Sequence, residues 1–165
     1  VSIEYENPWF RVVKQGQYHF VEENGSDNGA VILLQAAEYF VFVRVFRQAH
    51  NSFFIEAPRG YGENGESPAQ TAARELFEET GYSIESNKFK HIGTIQPNSA
   101  ILSSSLPIYF VSVDERINTS AVDSEVSEIV YIEKDKILNS IASGEITDGI
   151  TIAALAMHWS SPENR

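Results

Sequence analysis

Three glutamates, Glu75, Glu78 and Glu79, stand at steps of three and four residues in the segment PAQTAARELFEET, a spacing that brings side chains to one face of a helix. Like charges so placed cost roughly 0.2 to 0.5 kcal/mol each in an isolated helix, so the group calls for a counter-charge. Arg74 can supply one by pairing with Glu78. A divalent cation would supply more, because clustered carboxylate oxygens are the ligands that hard Mg²⁺ or Mn²⁺ prefers. Without their surroundings, the three glutamates also read as an ordinary solvated acidic face.

The element that must hold them is legible from local rules. Ser67 is a preferred N-cap, Pro68 suits the first helical position, and Gln70 completes a capping box. Ala69, Ala72, Ala73 and Leu76 supply a buried stripe, and Gly81 can take the left-handed conformation that ends a helix. A helix is predicted over 68–80. In front of it, Gly60-Tyr61-Gly62-Glu63-Asn64-Gly65 spells GxGxxG after a predicted strand at 53–56. A dinucleotide-binding fold is rejected because Glu63 and Glu66 would set negative charge where a pyrophosphate must approach the amides. No Gly-Lys-Ser/Thr follows, so the loop is not a P-loop either.

Composition narrows the class. A chain of 165 residues with 42% hydrophobic and 21% charged residues can bury one full core, and a single domain over 1–165 is expected. Twelve basic against 23 acidic residues give a net charge of −11, which argues against nucleic acid as a partner and against a polybasic membrane anchor. With no cysteine, thiolate metal sites and cysteine nucleophiles are excluded. The four histidines show no ligand spacing. No apolar run approaches the roughly 18 residues of a membrane span, and VSIEYENPWF lacks the basic and apolar regions of a signal peptide, so a cytoplasmic location is expected.

The loop and helix together carry a resemblance. Gly60, Glu66, Arg74-Glu75-Leu76, Glu78-Glu79 and Gly81, at the intervals they have in this chain, resemble the signature of the Nudix hydrolase superfamily. Tyr82 stands where an aliphatic residue is usual. The resemblance implies an α/β (α+β) fold, an α/β/α sandwich with a mixed central sheet and a loop-helix-loop catalytic motif. It also implies Mg²⁺ or Mn²⁺ held by Glu75, Glu78 and Glu79, joined by the backbone carbonyl of Arg59. Arg74 would orient the glutamates, Gly60 would allow the tight loop, and Glu66 would brace it or contact the outer metal shell.

Outside the motif, the chain is similar to the branch that hydrolyses ADP-ribose and nucleotide sugars. Residues 1–46 read as successive strands, with a hairpin at Gln15-Gly16. Residues 1–36 would be extra N-terminal strands that help build a homodimer, with Trp9 and Phe10 read as core or interface residues. Arg47, Gln48, Glu56, Pro58 and Gly60 match the branch's segment leading into the motif, whereas His50 replaces an arginine and Arg59 an alanine. Arg47 or Arg59 could hold an anionic substrate or simply pair with an acid, and Glu56 could contact metal or substrate or face outward from its strand. Pro97 lies where the branch carries a proline. From the polar loop 114–124 and the start of the next strand, Glu125 or Glu128 would act on the attacking water. The ending reads as helix over 134–143, turn over 144–151 and helix over 152–159, with Ile152, Leu155, Ala156 and Trp159 as an apolar stripe. The implied reaction is hydrolysis of a nucleoside diphosphate derivative, with ADP-ribose giving AMP and ribose 5-phosphate. A GDP-sugar, NADH or a dinucleoside polyphosphate is the alternative substrate, and a non-enzymatic nucleotide-sugar sensor the alternative role.

Overall fold

In the computed structural model, which describes residues 1–161, strands β1 (Ser2–Glu6), β2 (Phe10–Gln15) and β3 (Tyr18–Glu23) form an antiparallel sheet of their own. Gly16, at φ 63°, makes the β2–β3 turn that Gln15-Gly16 predicts. Trp9 is 68% exposed, which overturns a place in the core. Phe10 is half-buried against Tyr5. The sheet docks through β3, where the Val21 amide donates to the Ile101 carbonyl at 2.7 Å and the Val21 carbonyl accepts from Ser103 at 3.0 Å.

The second sheet has seven strands: β4 (Ala30–Ala36), β5 (Tyr39–Arg47), β6 (Ser52–Glu56), β7 (Arg59–Gly60), β8 (Lys90–Ile95), β9 (Leu106–Val113) and β10 (Val126–Glu133). The order is β10-β5-β4-β9-β8, with β6 paired to β5 and β7 to β4. Only the β4–β9 pairing is parallel, so the sheet is mixed. β4 lies at its centre rather than with the N-terminal strands among which its position in the sequence groups it. β4 and β5 pair over Leu34–Ala36 and then part, and the short β7 sits in the gap on β4. That split places Arg59 and Gly60 inside the fold, not at its edge.

Helix α1 (Pro68–Thr80) covers one face of this sheet; α2 (Ile137–Ala142) and α3 (Gly149–Ser160) cover the other. β4 explains why both faces are needed. Its alternate residues Ala30, Ile32, Leu34 and Ala36 meet Ala72 and Leu76 of α1, while Val31 and Leu33 join the clusters that hold Ala154 and Leu155 of α3, the period of two making a continuous apolar run pack in both directions. The α/β/α layering around a mixed sheet is therefore as expected.

Two local expectations fail at the carboxyl end. α3 starts at Gly149 rather than Ile152, because Asp148 caps it by accepting from the Thr151 amide at 2.8 Å. Of the expected stripe, Leu155 is buried and Ile152 and Trp159 pack against the same core, whereas Ala156 is exposed; Thr151, Ala154 and His158 complete the buried face. The Thr151 hydroxyl, accepting from the Ala57 amide at 2.8 Å, fixes the helix rotation that puts Ala156 outward.

Candidate active site

The α1 helix is built as its residues dictate. Ser67 and Gln70 form the reciprocal capping box, Pro68 opens the helix, and Gly81 closes it at φ 73°, the capping contribution alone being about 1 kcal/mol. Burial of Ala72, Leu76 and Thr80 turns Glu75 and Glu79 toward β7. Gly60 leaves the space that the Glu75 carboxylate occupies: a Cβ there would overlap it and force that carboxylate aside. Its φ is ordinary, so close approach, not a tight turn, explains this glycine.

Arg74 organises the loop. Its guanidinium donates to Glu66 at 2.9 and 3.0 Å, to Glu75 at 2.7 Å, to Glu78 at 3.0 Å and to the Tyr61 carbonyl at 2.9 Å. The predicted Arg74–Glu78 pair is thus present, within a larger fork. Glu66 also accepts from the Glu63 amide and the Thr71 hydroxyl, and the Arg74 bonds hold its carboxyl down at about 2. Asn28, which local sequence rules did not single out, donates to the carbonyls of Glu63 and Glu66 and braces the loop from beneath.

Glu79 is in the opposite situation. Its carboxylate accepts one bond, from the Arg59 amide at 3.2 Å. Burial, followed by the charge of Glu75, pushes its carboxyl up to about 8. Glu75 is raised as well, by burial against the pull of Arg74, and the charge of Asp123 adds to the shift of both. Two crowded, desolvated carboxylates facing a third acid are a region of strong negative potential. Among the described residues, no group of three or more His, Cys, Asp or Glu side chains is gathered tightly enough to form a ready-made metal cluster. A small hard cation that keeps several of its waters needs only one or two protein carboxylates, and the oxygens of Glu75 and Glu79 fit that requirement.

A cleft of about 610 Å³ opens over these groups. From the residues singled out in the sequence it takes Glu75, Glu79, Arg74, Gly60, Arg47 and Arg59, and also Pro97 and Glu125. Glu66 and Gly81 of the motif lie outside its lining, and four catalytic or substrate-binding candidates lie elsewhere. Glu78 has a side chain 42% exposed and bound to Arg74, outside the cleft lining. Glu128 pairs with Arg44 at 2.8 Å and lines a different cleft, of about 660 Å³, behind the 116–121 segment. Gln48 is exposed in the β5–β6 turn. Glu56, 2% exposed, neither faces outward nor lines the cleft; it lies beneath the two arginines that do.

That buried carboxylate explains the arginines. Glu56 accepts from Arg47 at 2.9 Å and pairs with Arg59 at 2.7 Å, and Arg59 reaches on to Asp148 at 2.7 Å. Arg59, found where the resembling branch carries alanine, thereby ties β7 to the cap of α3. Asp148 was not singled out in the sequence, nor were Asp123, Glu23 and Tyr61 in the cleft. Asp123 stood in view beside Glu125, and only the docking of loop 114–125 on α1, with the Val122 and Asp123 amides donating to the Glu78 carbonyl at 2.7 and 2.8 Å, distinguishes it. Glu23 arrives from the separate sheet, accepting from Tyr61 and Ser104 at 2.8 Å each; no local pattern could have announced it.

Comparison with known proteins agrees with this architecture. The chain is 29% identical over 143 residues to a CMP-5'-(N-acetyl-N-hydroxy-3-aminopropyl)phosphonate hydrolase of Streptomyces rubellomurinus, covering 86% of this chain and 67% of that protein. It is 27% identical over 121 residues to an ADP-sugar pyrophosphatase of Mus musculus, covering 71% of this chain but 56% of the relative. A crystal structure of an ADP compounds hydrolase superposes with a TM-score of 0.74 at 15% identity, over 95% of this chain and 88% of the other, a likeness of fold. The NUDIX domain model matches residues 25–152, from the loop before β4 into α3 with the whole glutamate helix between, and the chain belongs to that family.

Proposed function

We propose that this protein hydrolyses the diphosphate bond of a nucleoside diphosphate derivative, with ADP-ribose or a related nucleotide sugar as substrate and a nucleoside monophosphate and a sugar phosphate as products. The observation that carries the proposal is the half-buried pair Glu75, over Gly60, and Glu79, on the Arg59 amide, in a cleft that also presents Arg47 and Arg59. Glu75 and Glu79 would hold Mg²⁺ or Mn²⁺, with the Arg59 carbonyl as a further ligand in the family's manner; Glu78, outside the cleft and bonded to Arg74, would join them only by turning from that bond. When bound, the ion neutralises the diphosphate and lowers the pKa of water.

The chain's own groups do the remainder. Arg47 and Arg59 face the anionic substrate with guanidiniums held by Glu56, so their positions are set before it binds. Arg74 does not touch the reacting atoms; it fixes the Glu75 rotamer and the loop over the cleft. Glu125, and Asp123 beside it, supply carboxylates to orient or deprotonate the attacking water. The relatives named above act on a CMP-linked compound and an ADP-sugar, which supports the substrate class. The N-terminal sheet, with Trp9, Tyr5 and Ile3 exposed, would form the interface of a homodimer. No helix among the described residues is long and apolar enough to cross a membrane, and a cytoplasmic location is part of the proposal.

Incubating the protein and Mg²⁺ with a panel of nucleoside diphosphate derivatives, with products identified by mass, tests the proposal. The expected result is cleavage between the phosphates, preferentially of ADP-ribose or a nucleotide sugar. Tight binding across the panel with no turnover would overturn it in favour of a sensor.

A further inference from the structure

Tyr82 occupies the one position of the Nudix motif where this chain departs from the usual aliphatic residue, and its side chain is 3% exposed. An aliphatic residue would fill the same core, beside Phe89 and Leu76. The hydroxyl must therefore be accounted for, since a buried phenol without a partner costs about 1 to 3 kcal/mol. Its partner is the loop that carries the cleft's acids. The Ile117 amide donates to the Tyr82 hydroxyl at 3.1 Å, and the Tyr131 hydroxyl donates to the Ile117 carbonyl at 3.2 Å. The two hydroxyls are 3.4 Å apart. With Tyr82 donating to Tyr131, the bonds close into a ring that runs from the Ile117 amide through both phenols and back to the Ile117 carbonyl.

Three further contacts fix the same loop. The Glu78 carbonyl accepts from the amides of Val122 and Asp123. Gly81 leaves room for Thr119, whose hydroxyl a Cβ at position 81 would overlap. Arg116 lies over the Tyr131 ring, 3.8 Å from its centroid, an attractive placement for a guanidinium. The end of α1 and strand β10 thus grip residues 116–123 from two sides, immediately before Asp123 and Glu125 enter the cleft.

We propose that Tyr82 and Tyr131 are positioning residues that clasp loop 114–125 through the backbone of Ile117, holding Asp123 and Glu125 at the cleft. The proposal rests on the hydrolytic reading above for its effect on turnover, but the clasp itself does not. Neither tyrosine lines the cleft, so the loss of one hydroxyl should act on kcat through the loop and leave substrate affinity intact.

The test pairs Tyr82→Phe with Tyr131→Phe, each removing one oxygen and little volume. Hydrogen exchange should accelerate at the Ile117 amide and along 117–123 by about tenfold or more, without matching acceleration in the β4 core. On the best substrate, kcat should fall by about tenfold with KM within about twofold, and the double variant should lose little more than either single one. Unchanged exchange at Ile117 in both variants would overturn the clasp. Faster exchange with kcat unchanged would overturn the positioning role. Uniformly faster exchange in all elements would show a merely structural hydroxyl and overturn it too. If the wild-type protein turned over no substrate, the hydrolytic reading would fail while the exchange measurement still decided the clasp.

Discussion

Glu66 and Glu79 are two carboxylates of one motif driven in opposite directions by their partners. Glu66, forked to Arg74, has a carboxyl at about 2, below its ordinary 4.5. A lowered carboxyl contributes stability that is complete above 4.5 and is lost as pH falls through 4.5 toward 2. Because the Glu66 carboxylate is partly solvated, with a side chain 20% exposed, screening reduces the effect, and Glu66→Gln should destabilise the protein by about 1 kcal/mol near neutral pH, with the difference from wild type vanishing in urea melts taken toward the acid end. Persistence of the full difference at the acid end would mean that charge is not what Arg74 reads. At this scale the sequence was informative where a residue's partner lies within one helical turn, as with Arg74 and Glu78. It misled where a partner on another strand captures the side chain: Glu128 is held by Arg44, 84 positions away, and Glu56 of β6 by Arg47 of β5 and Arg59 of β7 beneath the cleft, close in sequence but joined only by the fold. Asp148 stayed hidden because a helix cap becomes a site component only once Arg59 is folded onto it.

Element by element, α1 and β7 must approach to van der Waals distance for the site to exist. Gly60→Ala would push a methyl into the Glu75 carboxylate, and should cost about 1 to 3 kcal/mol of stability together with most of the turnover. Thermal melts and kcat measured on the same preparation check both. Retention of full activity would show that Glu75 can move freely and has no fixed role. α1 was fully legible, because its cap, stripe and stop are all local rules. β7 was not: two residues carry no periodicity, and their strand character comes from the gap left where β4 and β5 diverge. One residue of the expected α3 stripe, Ala156, falls outside the buried face for a similar reason. The helix is apolar on most sides, so a long-range bond from Ala57 to Thr151 chooses the buried face.

Across the whole molecule, a net charge of −11 surrounds a cleft whose lining acids outnumber its arginines, so the anionic substrate proposed above would meet repulsion that a bound cation would offset. The separate N-terminal sheet leaves Ile3, Tyr5, Trp9 and Tyr18 exposed, and light scattering should give a particle of twice 18.4 kDa that Trp9→Ser shifts toward monomer. A monomeric wild type at working concentration would count against the proposed dimer. The sheet's strands were visible in the sequence, but its detachment from the main sheet was not, because pairing partners are chosen by topology rather than by strand propensity. The central claim is that Glu79, half-buried near Glu75 and bonded to the Arg59 amide, serves a metal-dependent hydrolysis. Manganese binding and turnover of the best substrate, measured together for wild type and Glu79→Gln, test it most directly. The account predicts weakened manganese binding and a loss of kcat on the order of 10²-fold or more, with the fold retained; unchanged binding and turnover in Glu79→Gln would contradict it.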